Sequence, residues 1–224
     1  PHQGCIQHEE IRMSARSKIW LFPALLYGLF TVWYTDFSGP LSDAEVSDFM
    51  AAMQANQGEP EVIAFIEEFA RADTGRQFIM LNAIDYNDNP GFVAGAAPGE
   101  DAEALMGRYM AHMIPALLIR ASHPLFMGPA VYPAIDVVGI EGAENWNAGA
   151  LMRYRSRRDF LEIVTNPAFK GKHHFKAAAL EKTIAYPIEP DLQLGDPRLL
   201  LGLLLLALTA LTDLVRLSRY SSRQ

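Results

Sequence analysis

Apolar positions fall into three patterns along the chain: an unbroken run near each end, helical stripes, and short alternating segments between the stripes. Residues 19–34 form the first run. The second spans 199–217, and residues 199–208 within it hold no polar position, so no amphipathic face exists there. A hydrocarbon core of ~30 Å asks for about 20 residues at ~1.5 Å each, so neither run is generous. Trp20, Phe22, Trp33 and Tyr34 extend the first as interfacial anchors, and Asp213 paired with Arg216 on one helix face carries the second to Leu217. A cleaved signal peptide is the rival for the first run, but residues 35–39 offer no small-x-small cleavage site. For the second, the rival is a buried helix of a soluble protein.

The cations lie on the outer flank of both runs: Arg12, Arg16 and Lys18 before the first, and Arg216, Arg219 and Arg223 about the end of the second. Lys and Arg resist translocation, which places both termini in the cytoplasm and the middle segment across an inner or plasma membrane. The expected organisation is a cytoplasmic tail (1–18), a transmembrane helix (19–34), a helical pair (41–73), an α+β domain (76–190), a second transmembrane helix (199–217) and a short cytoplasmic tail (218–224). Met13 stands just before the first run, which leaves open whether residues 1–12 belong to the native protein.

In the middle segment Ser42 caps a helix with Val46, Phe49, Met50 and Met53 at helical spacing, and Val62, Ile63, Ile66, Phe69 and Ala70 mark a second after Pro60. Residues 77–86 alternate as a strand that is apolar on both faces. A Gly/Pro-rich stretch, 87–99, reads as a mobile connection. Leu105, Met106, Tyr109, Met110, Met113, Ile114 and Leu117 stripe a helix over 103–120, which Pro115 should kink or end early. Strands are predicted at 130–140 and 146–154, joined by the polar residues 141–144 as a hairpin. Ser156 with Asp159 resembles a capping box for the next helix. A further helical piece at 169–180 and a strand at 182–188 complete the order βαββαβ, a ferredoxin-like unit.

Charge sharpens this division. Residues 36–197 hold 23 acidic and 12 basic side chains, whereas the flanks hold 3 and 7. An acidic middle argues against nucleic-acid binding, and basic flanks beside apolar helices suit a lipid bilayer. Cys5 is the only cysteine, so the middle segment has neither a disulfide nor a cysteine metal site. No phosphate-loop or zincin pattern occurs, and no cofactor or metal is expected.

Several short motifs resemble the dimeric α+β-barrel superfamily, in a branch known only as a domain of unknown function. They are Phe78-Ile79-Met80-Leu81-Asn82, Met152-Arg153-Tyr154-Arg155-Ser156-Arg157, Asn166-Pro167-Ala168-Phe169 and Ala178-Ala179-Leu180-Glu181, and Trp146 stands where that group often carries an aromatic residue. The resemblance covers about 76–190 and leaves both apolar runs and the helical pair outside it. It implies two four-stranded sheets meeting face to face in a homodimer. Chemistry varies widely in that superfamily, so fold alone assigns none.

Among candidate site residues, Asn82 shares a strand face with Phe78, Met80, Ile84 and Tyr86, where a buried amide needs a partner in backbone or ligand. His112, beside Tyr109 on the striped helix, and His123, in a turn, could work as acid or base, though no triad frames either. Adjacent His173 and His174 point about 100° apart on a helix and cannot share a metal; Lys170, Lys172 and Lys176 around them read as a solvated face. Arg153, Arg155, Arg157 and Arg158 either dock an anion or pair within the chain. The expectation is a membrane-anchored extracytoplasmic domain that dimerises or binds a small molecule through Asn82, Tyr86, Tyr109, Trp146 and Arg153. The rival is a cofactor-free, monooxygenase- or isomerase-like enzyme for a small apolar or carbonyl-bearing substrate, using Asn82, Tyr109, His112 and Arg153.

Overall fold

A computed structural model describes residues 15–221, so Cys5, Arg12, Arg223 and the readings placed on residues 1–12 lie outside the described residues. The chain divides into two compact units. One holds two long helices, α1 (Ala15–Tyr34) and α7 (Pro197–Ser221). The other, residues 35–191, holds α2 (Asp43–Ala55), α3 (Pro60–Arg71), β1 (Phe78–Tyr86), α4 (Ala102–Ile119), β2 (His123–Pro129), β3 (Ala148–Tyr154), α5 (Arg157–Val164), α6 (Pro167–Ala179) and β4 (Leu180–Ile188).

Helices α1 and α7 run antiparallel. Arg16 Nε donates to Asp213 Oδ2 at 3.0 Å, Tyr27 lies against Gly202, and the Arg198 guanidinium sits 5.4 Å from the Tyr34 ring centre. A Cβ on Gly202 would come within 3.2 Å of the Tyr27 ring, so glycine permits the close approach. Asp213 takes its partners from α1, Arg16 together with Trp20 Nε1 at 3.3 Å, in place of the Arg216 expected from its own helix. Among the described residues only α7, over Pro197–Arg219, is both long and apolar enough to cross a membrane. Lys18, Trp20, Pro23, Tyr27, Trp33 and Tyr34 dilute the apolarity of α1.

In the second unit four strands form one antiparallel sheet in the order β2-β3-β1-β4, the ferredoxin-like arrangement. Its register sets two kinds of row across the strands. Met127, Ala150, Asn82 and Ala185 lie on the face covered by α4, α5 and α6. Phe126, Leu151, Leu81 and Tyr186 lie on the opposite face, where Phe126 is 61% and Tyr186 47% exposed. Phe78, Met113, Leu117, Met152, Tyr154 and Ile163 form the main core, with the Phe78 and Tyr154 rings stacked at 5.0 Å.

The second strand lies earlier than its sequence pattern indicates. It is His123–Pro129, not 130–140, so His123 opens a strand and the connection to β3 is long. Two prolines, Pro124 and Pro129, hid it; both are tolerated because β2 pairs only with β3 and one of its edges needs no donors. The apolar residues of 130–140 find no ladder, and Val131 and Ile135 are each 96% exposed. Helix α4 also continues past Pro115 to Ile119. The 87–99 connection is packed rather than loose: Val93 is buried with Leu105 and Phe175, and His174 Nε2 lies 2.9 Å from the Ala94 carbonyl.

Caps behave as their chemistry dictates. Ser42 and Glu45 form a complete capping box on α2, and Ser156 Oγ accepts from Asp159 N at 3.2 Å on α5. The Asp159 carboxylate turns instead to Arg155, at 2.7 and 2.8 Å. The helical pair α2–α3 packs on α5 through Val46, Met50, Ile63, Ala70 and the wholly buried Leu161. Polar ties reinforce that contact. Arg158 bonds Asp36 at 3.0 Å and Glu45 at 2.8 Å, while Asp73 accepts from Leu41 N at 2.9 Å and Gly75 N at 3.1 Å.

Candidate functional site

A cavity of about 270 Å³ lies between the covered sheet face and helices α4, α5 and α6. Alternation along β1 aims Met80, Asn82, Ile84 and Tyr86 into it, and the helical stripe of α4 contributes Met106, Tyr109, Met110 and Met113. Met127, Met152, Tyr154 and Phe160 add to the wall, and Thr183 and Ala185, both exposed on edge strand β4, mark an opening. Six of the chain's nine methionines therefore line one space. Unbranched thioethers fill irregular volumes and re-pack at low cost, a wall suited to apolar guests of varied shape.

Polar groups in this wall are few. Asn82 Nδ2 donates to the carbonyls of Met80, at 3.0 Å, and Ala150, at 3.5 Å, which leaves its Oδ1 available as an acceptor. Burial pushes the Tyr109 phenol above its ordinary range, and burial with the nearby Glu103 charge does the same to Tyr86. His173 and Lys176, one turn apart on α6, join the Tyr154 phenol and the Thr183 hydroxyl in the same wall. Burial pulls the Lys176 amine below its usual value. Burial, then the charges of Lys176 and His174, pulls His173 down, which favours its neutral form. The Tyr109 ring meets His173 edge-on at 6.2 Å and lies 5.8 Å from Lys176 Nζ.

Of the residues singled out from sequence, Asn82, Tyr86 and Tyr109 meet in this cavity; His112, Trp146 and Arg153 do not line it. His112 is exposed on the outer side of α4. Trp146 Nε1 donates to the Ala143 carbonyl at 2.8 Å, and Lys182 Nζ lies 5.1 Å from its ring centre. Arg153 is wholly buried on the opposite side of the sheet, where it bonds Gln77 Oε1 at 2.8 Å and the Ala121 carbonyl at 2.5 Å. The other arginines of that cluster also pair within the chain, Arg157 with Glu189 at 3.1 Å and with the Phe69 carbonyl at 2.6 Å. Lys176 and His173 were missed as wall residues because the lysines around them read as a solvated face. Their spacing carried the signal: Phe169, His173, Lys176 and Leu180 fall on one helical stripe.

No protein-family model matches the chain, and no curated protein does. Solved structures with a similar fold include proteins of unknown function. The RPA0582 protein of Rhodopseudomonas palustris matches at 16% identity and TM-score 0.48, over 60% of this chain and 95% of that one; its methylated form matches at 18% and 0.49. A dimeric ferredoxin-like protein of unknown function from Bacteroides fragilis matches at 13% identity and TM-score 0.31, over 51% and 96% of the two chains.

Proposed function

We propose that this chain is a membrane-anchored module that holds a small, largely apolar molecule between sheet and helices, works as a homodimer, and presents its α+β domain on the extracytoplasmic side. The cavity carries this reading: a methionine-rich space with an opening at a strand edge and a free acceptor on Asn82. A volume near 270 Å³ sits at the small end of ordinary ligand sites, ~300–1,000 Å³. Support for dimerisation comes from the uncovered sheet face, where Phe126, Ile184, Tyr186 and Ile188 are at least one-third exposed. Support for topology comes from the cations. Arg16 and Lys18 precede the apolar part of α1, Arg216 and Arg219 close α7, and antiparallel packing brings these ends together. On this reading α1 shares the bilayer with α7, and the Arg16–Asp213 pair lowers the cost of each charge there.

Catalysis on the same guest is the weaker reading, because two of the four groups expected to serve it, His112 and Arg153, lie outside the cavity. The binding reading is tested with Asn82→Leu. The Met80 and Ala150 carbonyls that accept from Asn82 belong to interior strands with ladder partners, so the change should cost no more than about 1 kcal/mol. Native mass spectrometry should then show loss of any small molecule that co-purifies with the wild type. A variant destabilised by several kcal/mol that keeps its guest would remove Asn82 from the site.

A further inference from the structure

We infer that the occupant of the cavity is an amphipathic carboxylate: a short hydrocarbon body among the methionines with its anionic end against Lys176. This names the ligand class for the binding reading above and rests on it. The argument is the imbalance of the wall. None of the residues lining the cavity is an aspartate or glutamate, whereas Lys176 reaches it from α6 and His173 stands one turn away. Among the described residues no carboxylate lies within ion-pair distance of Lys176, and the Tyr109 ring centre is 5.8 Å from its Nζ. The arginines around the domain find their carboxylates within the chain, as Arg108 does with Glu100 at 2.6 Å, and Lys182 pairs with Asp85 at 3.5 Å. A half-buried ammonium without a counter-ion, facing an apolar space, is costly in the free protein. A carboxylate guest supplies the missing charge, and the direction of the Lys176 shift agrees, since burial alone disfavours its charged form.

Size and polarity narrow the class. A volume of about 270 Å³ corresponds to roughly nine water volumes, too small for a long acyl chain or a nucleotide. One lysine beside a single histidine matches a monoanion better than a phosphate, which commonly recruits arginine forks or a helix N-terminus. Thr183 and Ala185 at the opening let the body enter past β4 while Lys176 holds the head.

The test uses the full chain in lipid nanodiscs, with empty nanodiscs as the blank for partitioning. Octanoate, 1-octanol and octylammonium are titrated calorimetrically into the wild type, Lys176→Met, Lys176→Gln and Ala185→Trp. The expected result is octanoate bound at least tenfold more tightly than octanol, octylammonium weakest, and all three lost in Ala185→Trp, which narrows the opening. In Lys176→Met, or in Lys176→Gln if the first fails to fold, octanol affinity should persist while the octanoate preference disappears. Equal octanoate and octanol affinities in the wild type would overturn the carboxylate inference and leave the binding reading standing. So would a preference that survives loss of the amine. No heat above the blank for any probe would sink both.

Discussion

Tyr186→Asp is the sharpest probe of assembly. Tyr186 closes the row Phe126–Leu151–Leu81–Tyr186 on the uncovered sheet face and is 47% exposed. In a monomer the change exchanges a half-exposed ring for a solvated carboxylate on an edge strand, a loss of about 1 kcal/mol. In a face-to-face dimer the substitution occurs twice, because a two-fold interface repeats every residue. Each unpaired carboxylate trapped there costs about 3–5 kcal/mol, and even if relaxation recovers half, the pair destabilises the dimer by about 3–5 kcal/mol. That weakens association by roughly a hundred- to several thousand-fold. Sedimentation velocity on residues 38–196 reads it directly: the wild type should be soluble and dimeric at micromolar concentration, and the variant monomeric with its circular dichroism unchanged. Phe92→Asp, at a position 93% exposed outside the sheet, is the charge-matched control and should stay dimeric. A wild-type fragment that is strictly monomeric at high micromolar concentration, or a Tyr186→Asp dimer of undiminished affinity, would refute the argument.

Gly75→Ala should destabilise the α+β unit by about 2–3 kcal/mol in a urea melt, because φ is +72° and the new Cβ would fall 2.7 Å from the Gly39 backbone. Asp36 supplies a pH dependence: burial raises its carboxyl, but hydrogen bonds from Ser38 and Ser156 and the Arg158 charge outweigh that and bring it to about 2 from 3.8. Its contribution, about 1–2 kcal/mol after solvent screening, is therefore full above pH 4 and lost as pH falls through 2, so the melting difference between wild type and Asp36→Asn should vanish across that window. Leu161→Ala, at a fully buried contact between α5 and the helical pair, should cost about 3–4 kcal/mol, and a cost below 1 kcal/mol would mean the pair is not packed there. For topology, a reporter active only in the cytoplasm should work after Gln224 and be silent when inserted near Gly95; activity at Gly95 would overturn the anchored reading.

Where local chemistry decides structure, the sequence was readable. Ser42 followed by Glu45, Ser156 followed by Asp159, and the two-sided alternation of β1 each have one good physical solution, and the α4 stripe already named Tyr109 and the methionines. What escaped depends on distant partners. β2 reads as a non-strand because of Pro124 and Pro129, and only its edge position, set by where β3 and β1 pair, makes those prolines harmless. Asp213 looked like a partner for Arg216, since nothing local points to Arg16. Arg153 shares its motif with arginines that pair with carboxylates, yet its own strand turns it under the chain toward Gln77 and Ala121. Lys176 was obscured by its lysine neighbours, although its stripe already aligned it with Phe169 and Leu180.

The pairing of Arg16 with Asp213 joins positions 197 apart, and it therefore orders events during synthesis. At about 5–20 residues per second, roughly 10–40 s separate the emergence of the two side chains. Arg16 can wait, for it lies in the first turn of α1 and its long side chain is still 64% exposed with the pair formed. Asp213 has no such freedom: its carboxylate is short, 7% exposed, and far inside α7. Helix α7 thus arrives with a charge whose partners in the folded pair, Arg16 and Trp20, stand on the helix made first, so α1 can serve as the assembly template for α7.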